Sequence, residues 1–171
     1  MSVRFVIDSL DFVRNAGIHH GKIPPVELLR LYDFLFDSEG ELIYQVCGRF
    51  DQDGKPGLYL EISGRLHLRC QRCLDKLTRT INLQTFLLLV EKEAELDLVD
   101  EDDTVDAILA TSELDVLDLI EDEIILSLSI SSCHPEGECS MHNLASNEDN
   151  LIGKTQATHP FAALAALKNK N

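Results

Sequence analysis

The chain of 171 residues carries 15 Lys+Arg against 30 Asp+Glu, a formal net charge of −15 with a pI near 4.6. That balance excludes long-range attraction to nucleic acid, so an RNA contact has to be local or made through a basic protein. At 44% hydrophobic and 26% charged, with no Trp and 6% aromatic residues, the composition suits a soluble domain with an aliphatic core.

The N-terminus alternates Val3, Phe5 and Ile7 with polar residues instead of forming the apolar stretch of a signal peptide. No apolar run approaches bilayer thickness. The expected location is the cytoplasm, with no membrane partner. Five cysteines in a chain read as cytoplasmic argue for reduced thiols that bind metal, catalyse or pack.

Residues 3–7 read as a short strand, followed by a short helix capped by Asp8 or Ser9 and stopped at Gly17. His19-His20-Gly21-Lys22 reads as a loop. Pro24-Pro25 opens a second predicted helix carrying Val26, Leu28, Leu29, Leu31, Tyr32 and Leu35. From Glu41 the period changes to two: Leu42, Tyr44 and Val46 mark one strand, and the polar stretch from Asp51 to Gly57 marks a turn. A second strand runs from Leu58 to Leu68, with Gly64 as an expected bulge. After the turn Cys70-Gln71-Arg72-Cys73, Leu77 to Val90 gives a third.

Residues 91–123 hold 15 Asp+Glu and one base, Lys92. Their first part, about 91–104, reads as an acidic loop or disordered insertion, and Val105–Leu109 as a returning strand. Ser112 is the expected cap of a helix reaching Leu128, with Leu114, Leu117, Ile120, Ile124 and Leu128 as its buried stripe. Residues 140–158 lack periodicity and read as a flexible linker. The terminal stretch His159–Lys168 reads as a short helix with Phe161, Leu164 and Leu167 on one side. The predicted fold is α+β: an antiparallel β-meander carrying the Cys-x-x-Cys turn, packed by N-terminal helices and one long acidic amphipathic helix. It occupies residues 1–139 as a single domain, and residues 140–171 form a flexible tail.

Two features carry chemistry. Arg65, Arg69, Arg72, Lys76 and Arg79 place five bases within 15 residues whose one acid is Asp75, with His67 among them. Arg65, His67 and Arg69 fall on the strand face opposite Leu66 and Leu68. This island is either a solvated strand face or a patch for RNA phosphates, and RNA contact is assigned here to Arg65, His67, Arg69, Arg72, Lys76 and Arg79. Cys70 and Cys73 have the spacing of half a structural zinc site, and Cys139 with His134 or Cys133 would supply the rest. The candidate metal ligands are Cys70, Cys73, His134 and Cys139. The alternative is a metal-free turn of reduced cysteines; a thioredoxin-like role fits poorly, because the pair joins two strands instead of opening a helix.

The acidic segment is a solvated loop or a surface for a basic ribosomal protein. Taken as hard-metal ligands, Asp118, Glu121, Asp122 and Glu123 would make a two-metal ribonuclease site, although neighbouring acids point around a helix and do not converge. No phosphate-binding glycine loop, nucleophile elbow or His-Glu-x-x-His motif is present.

Three stretches in order resemble one family: Leu68-Arg69-Cys70-Gln71-Arg72-Cys73-Leu74, then Asp115 to Leu128 with its Glu121-Asp122-Glu123-Ile124-Ile125-Leu126 core, and His159 to Lys168. The resemblance is to the bacterial YceD family of large ribosomal RNA subunit accumulation proteins. It implies a cytoplasmic, non-enzymatic factor supporting synthesis, processing or accumulation of 23S ribosomal RNA. The partners it implies are ribosomal RNA or its precursor, with basic ribosomal proteins or a ribonuclease, and not DNA. In some members of the family from other bacteria a second close cysteine pair after the acidic helix would complete a four-cysteine site; here that region reads Ser131-Ser132-Cys133-His134, then Cys139. An adaptor that binds a basic ribosomal protein without touching RNA is the alternative, and a metal-dependent ribonuclease the more distant one.

Overall fold

The computed structural model describes residues 5–99 and 106–139. The chain divides into two units, Met1–His134 and Pro135–Asn171. The predicted linker and terminal helix at 140–171 lie outside the described residues, as do residues 3 and 4 of the first predicted strand.

In the first unit the chain runs β1 (Val6–Ile7), α1 (Ser9–Arg14), β2 (Ile18–Ile23), β3 (Leu42–Phe50), β4 (Pro56–Arg69), β5 (Lys76–Val90), α2 (Glu93–Val99), β6 (Asp106–Leu109), β7 (Leu114–Asp115) and α3 (Val116–Ser127). Among the described residues, β2-β3-β4-β5-β6 form one sheet, and β1 with β7 a separate two-stranded ribbon. The order β3 to β5 is the antiparallel meander that the period-two stretches predict, and β2 adds to it antiparallel. β6 departs from it, adding parallel to β5 through Leu87↔Asp106 to Val90↔Leu109.

Alternation decides which face of the sheet is buried. Leu58, Leu60, Ile62, Leu66 and Leu68 of β4 are all buried and meet Leu42, Val46, Ile81 and Leu87 in the core. Val13 of α1 and Val116, Ile120 and Ile124 of α3 join the same core. The intervening side chains Glu61, Ser63, Arg65, His67 and Arg69 face the other way, where no described element covers Ser63, Arg65 or Arg69. Before Leu87, β5 has no strand partner on its outer side among the described residues, so Lys76–Phe86 is a sheet edge there.

Several expectations are corrected. His19–Lys22 is not a loop but part of edge strand β2, paired from Ile18↔Cys47 to Ile23↔Leu42. There His19 stacks on Phe5, with ring centroids 3.6 Å apart, and its Nδ1 lies 3.1 Å from the Tyr44 hydroxyl. Burial lowers the pKa of His19, and the neighbouring His20 adds to this. Gly64 makes no bulge: pairing continues unbroken through Leu42↔Gly64 and Gly64↔Ile81. Its φ of +151° and the Glu41 carbonyl, 2.3 Å from where a Cβ would sit, explain why the residue is glycine. Glu93–Val99 is helical where the acidic loop was expected.

The predicted helix after Pro24 is instead two 3₁₀ turns, Pro25–Glu27 and Tyr32–Phe34. Leu28, Leu31 and Leu35 still reach the core at their helix-like spacing. The backbone between the turns finds its acceptor elsewhere: Oε1 of Glu121 on α3 accepts the N–H of Arg30 at 2.6 Å and of Leu31 at 3.0 Å. A continuous helix would direct those donors at carbonyls four residues back. The expected long helix from Ser112 is also shorter. Leu114-Asp115 is spent on β7 against Val6-Ile7, and Asp115, not Ser112, caps α3 by accepting the Leu117 N–H at 2.9 Å.

Glu121 is 3% exposed, so its loss leaves two donors without their acceptor. Glu121→Ala is expected to lower unfolding free energy by about 2–4 kcal/mol in a urea titration, with Glu121→Gln, which keeps an acceptor oxygen, recovering most of it. Equal stability of Glu121→Ala and the parent chain would contradict this role.

Candidate metal centre and basic hairpin tip

The β4–β5 hairpin runs from Gly57↔Leu88 to Arg69↔Lys76 and ends in the cysteine turn. Backbone bonds close the turn: Cys70 N–H donates to the Asp75 carbonyl at 2.9 Å and Leu74 N–H to the Cys70 carbonyl at 2.8 Å. Leu74 adopts φ +63°, a left-handed conformation unusual for a branched side chain. The turn is therefore held in shape by its surroundings.

Those surroundings are the segment that follows α3. Gln71 N–H donates to the Ser132 carbonyl at 2.9 Å, and the Arg72 guanidinium donates to the His134 carbonyl at 3.0 Å. The His134 N–H approaches Cys70 Sγ at 3.5 Å. On the His134 ring, Nε2 is 3.1 Å from the Lys76 carbonyl and Nδ1 is 3.3 Å from Cys73 Sγ. A carbonyl only accepts, so Nε2 carries the proton and Nδ1 presents a lone pair to the thiols.

Cys70 and Cys73 are buried, and the ligand atoms of Cys70, Cys73 and His134 lie within 4.8 Å of one another. Burial alone would favour the neutral Cys70 thiol. The N–H groups of Cys73, His134 and Arg72 and the Cys73 side chain outweigh it, bringing the pKa from 9.0 down to about 5. A thiolate, a second thiol and a correctly presented imidazole suit a structural zinc ion, whose bond lengths of about 2.0–2.3 Å place neighbouring ligands about 3.6 Å apart. Cys139 lies in the second unit, where Glu138 N–H donates to the Pro135 carbonyl at 3.2 Å. Cys133, half-buried, has its Sγ 3.4 Å from the Ser131 hydroxyl. None of the five cysteines is in a disulfide.

The six bases assigned to RNA do not form one uniform patch. Arg65 and Arg69 are exposed on the open sheet face and, among the described residues, have no ion-pair partner. Arg79 pairs in register with Leu66, which turns it towards the opposite face. His67 Nδ1 is 2.7 Å from Asp37 Oδ1, and Lys76 Nζ is 3.0 Å from Asp37 Oδ2 and 3.5 Å from Glu39. Desolvation would raise the Asp37 pKa, but bonds from Lys76, His67 and the Glu39 backbone hold it at about 2. Asp37, Glu39 and His67 also stand close enough together to resemble a metal site, but Lys76 already supplies the cation there.

The carboxylates considered for a two-metal site are used separately. Glu121 takes the two backbone donors, Asp122 pairs with Arg30, and Glu123 bonds Thr85. Burial raises the Glu123 pKa, the Thr85 bond opposes this, and Asp106 and Asp122 add to it.

A family model described as Large ribosomal RNA subunit accumulation protein YceD matches residues 58–168. The chain belongs to the YceD family. The matched stretch starts in β4 and takes in the cysteine turn, α3 and His134. The family's name ties this YceD protein to the RNA of the large ribosomal subunit. No solved structure matches it, and no helix among its described residues is long and apolar enough to cross a membrane.

Sequence reasoning missed Asp37 and Glu39, which lie some 30 residues before their partners, and the Ser132 carbonyl that holds Gln71. Backbone acceptors leave no trace in residue identity. An acidic pair before a strand looks like any solvated turn.

Metal analysis of protein purified without a histidine tag is expected to give about one zinc per chain, falling to background in Cys70→Ser and Cys73→Ser; a parent stoichiometry near zero rules the ion out. A second expectation concerns acid. Asp37 is depressed below 3.8 to about 2, so its contribution to stability is complete above 3.8 and disappears as pH falls towards 2. Asp37→Asn should flatten that part of the stability–pH curve, and an unchanged acid limb would refute the assignment.

Proposed function

We propose that this protein is a non-enzymatic accessory factor in biogenesis of the large ribosomal subunit, acting in the cytoplasm on 23S ribosomal RNA or its precursor. The observation that carries the reading is the exposed Arg65–Arg69 pair at the end of a hairpin whose tip is braced by Cys70, Cys73 and His134. In a chain of net charge −15, such a pair is a local surface on which phosphates can be met. Arg72, tied to the His134 carbonyl, links the basic side chains to the cysteine turn.

A zinc ion held by Cys70, Cys73 and His134 would be structural, fixing the tip on which the arginines stand. Cys139, five residues beyond His134 in the chain, is the proposed fourth ligand, and Cys133 the competitor. Comparing the zinc content of Cys139→Ser and Cys133→Ser separates them. The acidic residues of 91–123 would keep the remaining surface off RNA and meet basic ribosomal proteins.

In cells lacking the natural protein, an Arg65→Glu/Arg69→Glu variant is expected to lose co-sedimentation with large-subunit precursors and to lower 23S RNA relative to 16S. Parent-like sedimentation and RNA levels would leave the protein-binding adaptor as the better account. Cleavage of precursor RNA by pure protein and magnesium, abolished by Asp122→Ala, would replace both with a nuclease.

A further inference from the structure

The open sheet face does not end at the arginines. Register places Arg49, Tyr59 and Phe86 on the same side of the sheet as Arg65 and Arg69, at the end of the hairpin away from the cysteine turn. Tyr59 stands directly opposite Phe86 on β5, and Cys47 opposite Tyr59 on β3. The Arg49 guanidinium lies over the Tyr59 ring, 4.3 Å from its centroid. Phe50 follows, 55% exposed at the end of β3. A cavity of about 350 Å³ is lined by Arg49, Phe50, Asp51, Gln52, Tyr59 and Phe86.

Three of this chain's ten aromatic Phe and Tyr residues therefore meet in one exposed concavity under an arginine. Core packing does not account for them, because none belongs to the buried cluster. The two nearby acids have internal partners. Asp51 accepts the N–H groups of Asp53 and Lys55 at 2.9 and 2.7 Å. Glu61 accepts the Tyr59 hydroxyl at 3.0 Å and the Gln84 amide at 3.4 Å. The Glu61 bond, followed by burial, raises the Tyr59 pKa, which keeps the ring neutral. Both carboxylates keep their charge but have these acceptor oxygens engaged, so the groups the concavity offers a ligand are the three rings and the Arg49 guanidinium, with Asp51 at the rim.

We infer that this concavity is a binding site for unpaired nucleobases of single-stranded RNA. A base would stack against Phe50 or Phe86, with the Arg49 guanidinium, held over the Tyr59 ring, reaching the adjoining phosphate. Along β4, side chains on this face recur about every 6.6 Å, so Tyr59, Glu61, Ser63, Arg65, His67 and Arg69 form a row from the concavity to the hairpin tip, in which Glu61 is engaged by Tyr59 and Gln84 and His67 by Asp37. Thr78, Thr80, Asn82 and Gln84 run beside it on β5, offering hydrogen-bonding groups without negative charge. A single strand laid along this track would have bases at one end and phosphates at the other held by different chemistry. The inference rests on the RNA-contact reading above and adds the conformation of RNA that is bound: single-stranded, with exposed bases.

The test is fluorescence anisotropy with the whole protein, a labelled mixed-sequence oligoribonucleotide of about twelve nucleotides, and the same sequence closed into a duplex. The parent protein should prefer the single strand. Phe50→Ala/Phe86→Leu should weaken single-strand binding about tenfold or more with the salt slope unchanged. Arg49→Ala, an exposed change that leaves the core intact, should weaken it and reduce the salt slope by about one. If Arg65→Glu/Arg69→Glu abolishes binding while both concavity variants bind as the parent does, this inference fails and the RNA-contact reading stands. A parent protein that binds neither RNA form removes both. Concavity variants that keep full RNA affinity but no longer retain a ribosomal protein would assign the surface to a protein and overturn the inference as well.

Discussion

The antiparallel pairing of β4 with β5 is the interaction on which the other features of this protein rest. It is unbroken from Gly57↔Leu88 to Arg69↔Lys76, and it sorts the side chains of both strands onto two faces. One face closes the core with Leu58, Leu60, Ile62, Leu66 and Leu68. The other holds Arg65 and Arg69 and the half-buried rings of Tyr59 and Phe86. A slip of one residue would exchange the two sets, placing Arg65 and Arg69 against Ile124 and its neighbours at a cost no local rearrangement could offset. Core burial therefore fixes the orientation of the basic surface as a side effect of folding.

The hairpin outlasts the sheet. β3 stops pairing at Leu42↔Gly64, so the last residues of β4 have as outer neighbour a short irregular segment, through the Leu35↔Leu68 bridge and the Phe36 N–H to the His67 carbonyl at 2.8 Å. That segment supplies Asp37 and Glu39 to Lys76. Beyond it, the tip is held by the chain after α3 through Ser132 and His134. The tip is thus braced from two sides by polymer segments distant in sequence, and a metal at Cys70, Cys73 and His134 would tie one of these braces to the turn. Lys76 and His67 serve this bracing, which leaves Arg65 and Arg69 as the bases facing outward at the end of β4.

Period-two alternation was legible because it reports a physical partition: one side in the core, the other in water. It located β3, β4 and β5 and their turn, and the family resemblance followed from the cysteine pair and the Glu-Asp-Glu helix. What was illegible depended on tertiary partners. His19-His20-Gly21-Lys22 has no strand propensity to speak of, and becomes a strand because β3 offers its edge. Leu28, Leu31 and Leu35 have helical spacing, yet Glu121, 90 residues away, accepts the Leu31 N–H. At the candidate site the cysteines and His134 could be picked out by residue type, but the Lys76 carbonyl that orients the imidazole could not. Arg79 looked like a member of the basic surface until register set it opposite Leu66.

The outer edge of β5 from Lys76 to Phe86 has a further consequence. Among the described residues no strand pairs with this edge, and a strand edge of this kind offers backbone donors and acceptors that a second molecule could extend into a continuous intermolecular sheet. Its side chains resist that outcome. In the register that matches Lys76 with Arg79 of a second copy like charges would meet, and Thr78, Thr80, Asn82 and Gln84 provide little apolar surface to drive any register. At high concentrations in the cell, the same polar edge that lies beside the proposed RNA track would keep the protein from polymerising with itself.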